Sequence, residues 1–146
     1  MRAVWQRVSR AVVRVEGQVV GEIGPGALVL VAAQRDDTEA QAAKLADRVV
    51  GLRAFNDGEG KMNLALADVP GGAILAVSNF TVCGDAAKSR RPSFTGAASY
   101  EAGRELFDRF VAELRGRGVR VETGVFGADM QVELVNDGPV TLILEV

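Results

Sequence analysis

The chain has 146 residues, with 17 Lys and Arg, 19 Asp and Glu, one Cys and no His. Without imidazole it can build no Ser-His-Asp triad, Cys-His dyad or HExxH zinc site, and a single thiol excludes an internal disulfide and multi-cysteine metal centres. A net charge of −2, 48% apolar and 25% charged residues fit one globular domain spanning 1–146, and argue against a broad polyanion-binding surface.

Taken in chain order, residues 2–9 and 11–16 alternate β-branched with polar residues and predict strands, a pattern that Gln18–Ile23 continues. Gly24-Pro25-Gly26 reads as a turn. It precedes a strand and lacks GxGxxG spacing, so it is no nucleotide loop. The apolar run Ala27–Ala33 predicts a strand buried on both faces. Asp36 with Glu39, or Thr38 with Gln41, can form a capping box. Leu45, Val49 and Leu52 then mark a helix to about Arg53. Short strands follow at Phe55–Asp57 and Met62–Leu66, around the turn Asp57-Gly58-Glu59-Gly60.

Ala73–Val82 predicts a second buried strand with a polar end. Residues 83–98 lack periodicity, and loops this long in a small domain are often functional. Ser99 is an N-cap for a helix whose stripe is Leu106, Phe110 and Leu114, stopped by Gly116 and Gly118. Strands at Val119–Gly124, Gln131–Val135 and Val140–Val146 complete the chain, with Asn136-Asp137-Gly138-Pro139 turning between the last two. The expected fold is a β-rich α/β domain of about nine short strands in packed mixed sheets, with two helices on one side. No apolar run reaches the ~20 residues of a membrane span. Arg2, Gln6, Arg7 and Arg10 interrupt any apolar stretch at the start, so a signal peptide is not expected there. A cytoplasmic protein fits, since one cysteine suits a reducing compartment.

Four places can carry chemistry. The first is the strand end Ser78-Asn79-Phe80-Thr81-Val82. Alternation puts Ser78 and Phe80 on one face and Asn79 and Thr81 on the other. The bland alternative is a strand end whose hydroxyls bond nearby backbone. Thr81 as a nucleophile needs a base, and none lies within two residues. Cys83 is a second candidate nucleophile, set against the plainer reading of a small buried hydrophobe. The second place is the Asn136–Pro139 turn, where glycine permits close approach to a ligand. The third is Gly124–Met130, whose small residues and Phe126 suit a close-walled pocket or a bulge. The fourth is the loop at Lys88, Arg90 and Arg91, read either as solvated surface or as a grip on a nucleic-acid end. Asp129, Glu133 and Asp137 show no spacing that sets them apart from surface acids, so no metal or other cofactor is implied.

These residues together resemble the D-aminoacyl-tRNA deacylase family, almost end to end. The resemblance runs through Gln6-Arg7-Val8, Val15-Glu16-Gly17, Gly60-Lys61-Met62-Asn63, Ser78-Asn79-Phe80-Thr81-Val82, Arg91-Pro92-Ser93-Phe94, Thr123-Gly124, Ala128-Asp129-Met130 and Asn136-Asp137-Gly138-Pro139-Val140-Thr141. The Ser-Gln-Phe-Thr-Leu type strand end and the Asn-x-Gly-Pro-x-Thr turn are family signatures. The first departs twice: Asn79 replaces the usual Gln, and Val82 replaces Leu. Asn shortens the amide by one methylene and leaves backbone contacts unaffected.

The resemblance implies an enzyme that cleaves the ester of D-aminoacyl-tRNA, and also glycyl-tRNA mischarged on tRNA(Ala), while refusing L-aminoacyl-tRNA. It implies Ser78, Phe80 and Thr81 as catalytic residues. It implies Asn79, Arg7, Phe126, Ala128, Met130, Gly138 and Pro139 at the substrate. It further implies a homodimer in which a cis Gly138-Pro139 peptide is presented to the partner's pocket. The expected partner is the tRNA acceptor end, with Lys88, Arg90 and Arg91 as candidate contacts, and neither DNA nor a membrane. Two other readings stay open: a module that binds an RNA 3′ end or a nucleotide without catalysis, and an esterase of another substrate using Thr81 or Cys83.

Overall fold

The computed structural model describes residues 1–87 and 90–146. Strand β1 (Arg2–Val15) is the organising element. It pairs antiparallel with β2 (Gln18–Ile23) through its C-terminal half and with β3 (Gly26–Ala32) through its N-terminal half. Along its other edge lies β8 (Gln131–Glu145), from Arg2↔Glu145 to Arg14↔Gln131. Residues predicted as two strands at 2–9 and 11–16 thus form one, because both halves find partners on both edges.

Strand β6 (Ala73–Ser78) runs parallel to β3, and β7 (Arg120–Thr123) runs parallel to β6. Parallel neighbours need crossovers. Helices α1 (Glu39–Gly51) and α2 (Tyr100–Gly116) lie in those two connections. The sheet order is β2-β1-β3-β6-β7, with β8 on β1, and a separate hairpin joins β4 (Phe55–Asn56) to β5 (Met62–Leu64). The β-rich α/β fold with two helices is as expected, and the described residues form eight strands where about nine were expected.

The continuous apolar runs of β3 and β6 follow from burial on both faces. Ala27, Val29, Ile74 and Ala76 join the helices in one core, while Leu28, Leu75 and Val77 join Val8, Val13 and Ile23 in a second. The second core closes because the sheet curls. A Cβ at Gly21 would collide with the Thr123 carbonyl, so β2 reaches back to the end of β7.

Thr38 caps α1 with the Gln41 capping box, and Ser99 caps α2. The first helix ends at Gly51, two residues short of the predicted end. Arg109 on α2 and Arg117 at its C-cap share Glu113, and reach Glu39 and Asp47 on α1. The Arg117 hydrogen bond, helped by Arg109, holds the Glu113 carboxyl below its usual 4.5. A carboxyl depressed by folding adds stability above its unfolded value and loses it as pH falls through the folded one. Glu113→Gln is therefore expected to flatten the fall in stability below about pH 4.5. Urea midpoints at pH 7 and pH 3 would check this.

Candidate active site at the strand ends

In open α/β sheets the carboxyl ends of parallel strands border a crevice. Here the ends of β3 and β6 do so. A cavity of about 610 Å³ lies beyond them, walled by the start of α2 and by the segment between β7 and β8. Ser78 at the end of β6, with Asn79 and Phe80 just past it, lines one wall, and Phe126, Ala128 and Met130 line the other. Two candidate places, at 78–82 and 124–130, thus meet at one site.

The predicted strand Ala73–Val82 stops at Ser78, and alternation fails after it. The Asn79 N–H still donates to the Val31 carbonyl (2.8 Å), continuing the ladder. Its side chain then caps a 3-10 turn over Phe80–Cys83: Asn79 Oδ1 accepts the Thr81 N–H at 3.1 Å and the Thr81 hydroxyl at 2.5 Å. Short polar side chains divert backbone in this way. The turn brings Ser78, Asn79 and Phe80 to one wall and leaves Thr81 off it. The Thr81 N–H is engaged, whereas no turn, loop or cap hydrogen bond among the described residues uses the neighbouring Phe80 N–H. The Phe80 ring stands edge-on to Phe94, centroids 5.1 Å apart. Phe94 in turn lies against Gly84, where a Cβ would meet its ring at 2.9 Å.

The far wall is aromatic. Phe126 packs edge-on to Tyr100 at 5.2 Å and tilted against Phe107 at 6.1 Å. Gly127 has φ +77°, and a Cβ there would meet the Tyr100 hydroxyl, so glycine is required at this position. Tyr100, Phe107 and Met1 line the cavity although no motif singles them out. Tyr100 stands one residue after the Ser99 cap, which hid it inside a helix signal.

Cys83 lies outside the wall, and its thiol faces the Ala33 carbonyl at 3.8 Å. Burial pushes the Cys83 thiol up from its ordinary range, which disfavours the nucleophilic thiolate. Among the described residues no group of His, Cys, Asp and Glu could hold a metal ion.

Gly138 and Pro139 lie elsewhere. The predicted hairpin turn is instead a bulge within β8, which continues past it along β1 with a slip in register near Val8. The Gly138-Pro139 peptide is cis. Asn136 fastens the neck of the bulge: its Nδ2 donates to the Arg7 and Val140 carbonyls, both at 3.0 Å, and its Oδ1 accepts the Val140 N–H at 3.2 Å. Arg7 is the one buried polar or charged residue among those described. It does not reach its own chain's cavity. Its Nε donates to the Asp137 carbonyl at 2.7 Å, beside the Asp137 carboxylate at 3.3 Å. Of the predicted cationic loop, Lys88 lies outside the described residues; Arg90 and Arg91 are exposed.

A family model described as D-Tyr-tRNA(Tyr) deacylase matches residues 4–145. The chain is 58% identical to the D-aminoacyl-tRNA deacylase of Pelobacter propionicus, over 99% of each chain. It is 59% identical to that of Anaeromyxobacter dehalogenans, over 99% of this chain and 97% of the relative. Among solved structures it is similar to the c-Myc DNA Unwinding Element Binding Protein, with 37% identity and a TM-score of 0.93 over 100% of this chain and 99% of the other. A probable eukaryotic D-amino acid tRNA deacylase, 21% identical, shares the fold with a TM-score of 0.85. On the family match and these identities, the chain belongs to the D-Tyr-tRNA(Tyr) deacylase family.

Proposed function

We propose that this protein hydrolyses the ester joining a D-amino acid to the 3′-terminal ribose of tRNA. The observation that carries the reading is the cavity of Ser78, Asn79 and Phe80 opposite Phe126–Met130, in a chain 55–59% identical to deacylases throughout.

Water adds to the ester carbonyl carbon, and the carbonyl electron pair moves onto oxygen. In this reading the Phe80 N–H donates to that oxyanion. The tetrahedral species then expels the ribose 3′-oxygen, which takes a proton, leaving free D-amino acid and tRNA. An aminoacyl ester is already reactive, so positioning and one or two donors supply much of the rate. Thr81 is a poor nucleophile here. Its proton is given to an amide oxygen, which is no base, and the hydroxyl stands off the wall. The ribose 2′-OH of the substrate, beside the scissile bond, is the assisting group we favour.

Chirality is read by the loop around Gly138-Pro139, presented by a second copy of the chain. Exposed apolar side chains on β8 support a dimer: Val135 is 50% and Ile143 68% accessible in the single chain. An L side chain collides with the loop's backbone, whereas a D side chain points away, and glycine has nothing to reject. Glycyl-tRNA mischarged on tRNA(Ala) is therefore a second substrate, and the role is proofreading in the cytoplasm, where charged tRNA is used. No helix among the described residues is long and apolar enough to cross a membrane. A net charge of −2, with Arg10, Arg109, Arg117 and Arg120 engaged by carboxylates, favours contact limited to the acceptor end over a grip on duplex DNA.

Matched D- and L-aminoacyl-tRNA, followed for ester loss, tests the proposal. Hydrolysis of the D ester alone is expected; equal rates, or binding of tRNA without turnover, would refute it. Thr81→Val removes the hydroxyl and keeps the backbone. Its single-turnover rate is expected within about tenfold of the parent. A trapped acyl-enzyme on the parent would instead make Thr81 the nucleophile.

A further inference from the structure

Gly60-Lys61-Met62-Asn63 lies outside the cavity, and the chemistry proposed above makes no use of it. It belongs to the β4–β5 hairpin, which is pinned at both ends. At the base, Arg53 Nε donates to the Asn63 carbonyl at 2.7 Å and Arg53 Nη2 to the Asn63 side-chain oxygen. At the tip, Asp57 Oδ1 accepts the N–H groups of Glu59 (2.9 Å) and Lys61 (3.0 Å). Between these, the hairpin strand meets buried Arg7. Arg7 Nη1 donates to the Ala54 carbonyl at 2.8 Å and to Asn56 Oδ1 at 3.1 Å.

A guanidinium is planar and rigid, so fixing its Nη1 edge fixes where its Nε points. That Nε holds the Asp137 carbonyl, immediately before Gly138. Asn136 secures only the neck of the bulge, through Val140 and the Arg7 backbone. The tilt of the Gly138-Pro139 segment above that neck is thus set from the hairpin side.

We infer that the β4–β5 hairpin is a brace for the 137–140 loop, and that Asn56 is a positioning residue which, through Arg7, determines how strictly L substrates are refused. The inference rests on the loop being the chirality reader. Asn56 itself is exposed, so its side chain can be changed without opening the core.

The test measures single-turnover hydrolysis of D- and L-aminoacyl-tRNA by the full chain, with Gly138→Ala as the reference variant. Asn56→Ala is expected to raise the ratio of L to D hydrolysis about three- to tenfold, with the D rate within about twofold of the parent, since one hydrogen bond to a charged group is lost. Asn56→Asp is isosteric, keeps the acceptor and is expected to restore the parental ratio. Arg53→Gln, which touches neither Arg7 nor the loop, is expected to raise the ratio in the same direction. A parental ratio in Asn56→Ala beside a relaxed one in Gly138→Ala would overturn the brace alone. So would equal slowing of both substrates, the mark of a merely structural role. A parental ratio in Gly138→Ala would refute the loop as chirality reader, and the brace with it. Should Asn56→Ala misfold, Arg53→Gln decides the same question: a parental ratio there, beside a relaxed one in Gly138→Ala, would overturn the brace.

Discussion

Gly138→Ala is expected to relax the D/L preference at least about tenfold while leaving a folded protein. A Cβ at this position would run into the Val140 backbone nitrogen and come within 3.2 Å of Asn136 Oδ1. Neither neighbour can yield freely. The Val140 N–H is bonded to that same Asn136 oxygen, and Asn136 Nδ2 is bonded to two carbonyls. The loop must therefore shift as a unit, and a clash that depends on fixed backbone weakens once the backbone moves. Because the loop projects from the β1–β8 edge rather than from a core, the global fold tolerates the change. Parallel single-turnover assays on D and L esters, with a thermal melt, would check both halves. An unaltered ratio in a folded variant would remove the loop from chiral selection.

Phe110→Ala carries the largest stability effect, a loss of about 3–5 kcal/mol. Phe110 is fully buried at the centre of α2, in the core that also holds Trp5, Leu45 and Leu114. Domains of this size are stable by roughly 5–15 kcal/mol, so the loss is a large share of the whole. The chain has few aromatics, 5% by composition, and small neighbours such as Ala42 and Ala46 cannot swing in to fill the space. Urea denaturation of both proteins measures the difference. A loss under about 1 kcal/mol would mean that α2 does not seal this core.

The elements most legible in the sequence were those set by local chemistry. Thr38-x-x-Gln41 makes the capping box it spells, and Ser99 caps the second helix. The unbroken apolar runs at 27–33 and 73–77 are buried on both faces, as their lack of alternation implies. Boundaries failed where a distant partner decided them. Arg2–Val15 is one strand because β8 accompanies its whole length. Asn136–Pro139 is a bulge rather than a hairpin turn because β1 holds both flanks of β8 in antiparallel register, a pairing no local pattern announces. The strand from Ala73 stops early for a local reason that alternation concealed: Asn79 bonds its own backbone two residues on. Of the site, Ser78, Asn79, Phe80, Phe126, Ala128 and Met130 converge on one cavity. Tyr100 and Phe107 were missed because their spacing is that of ordinary helix residues.

By itself the sequence bounded the chemistry within reach: with no imidazole and one thiol, no histidine-based triad or dyad can be built. It also determined the helices and the two-sided strands, because caps and hydropathy period act over a few residues. Tertiary structure alone decided which residues meet. Only the parallel pairing of β3 with β6 opens a cavity at their ends. Only the folding of β8 along β1 sets Asp137 over Arg7 and turns the glycine-proline pair outward. Those contacts join residues far apart in the chain, from Gly26↔Ala73 to Arg2↔Glu145, and a chain pays the entropy of closing such loops only when a whole sheet edge forms at once.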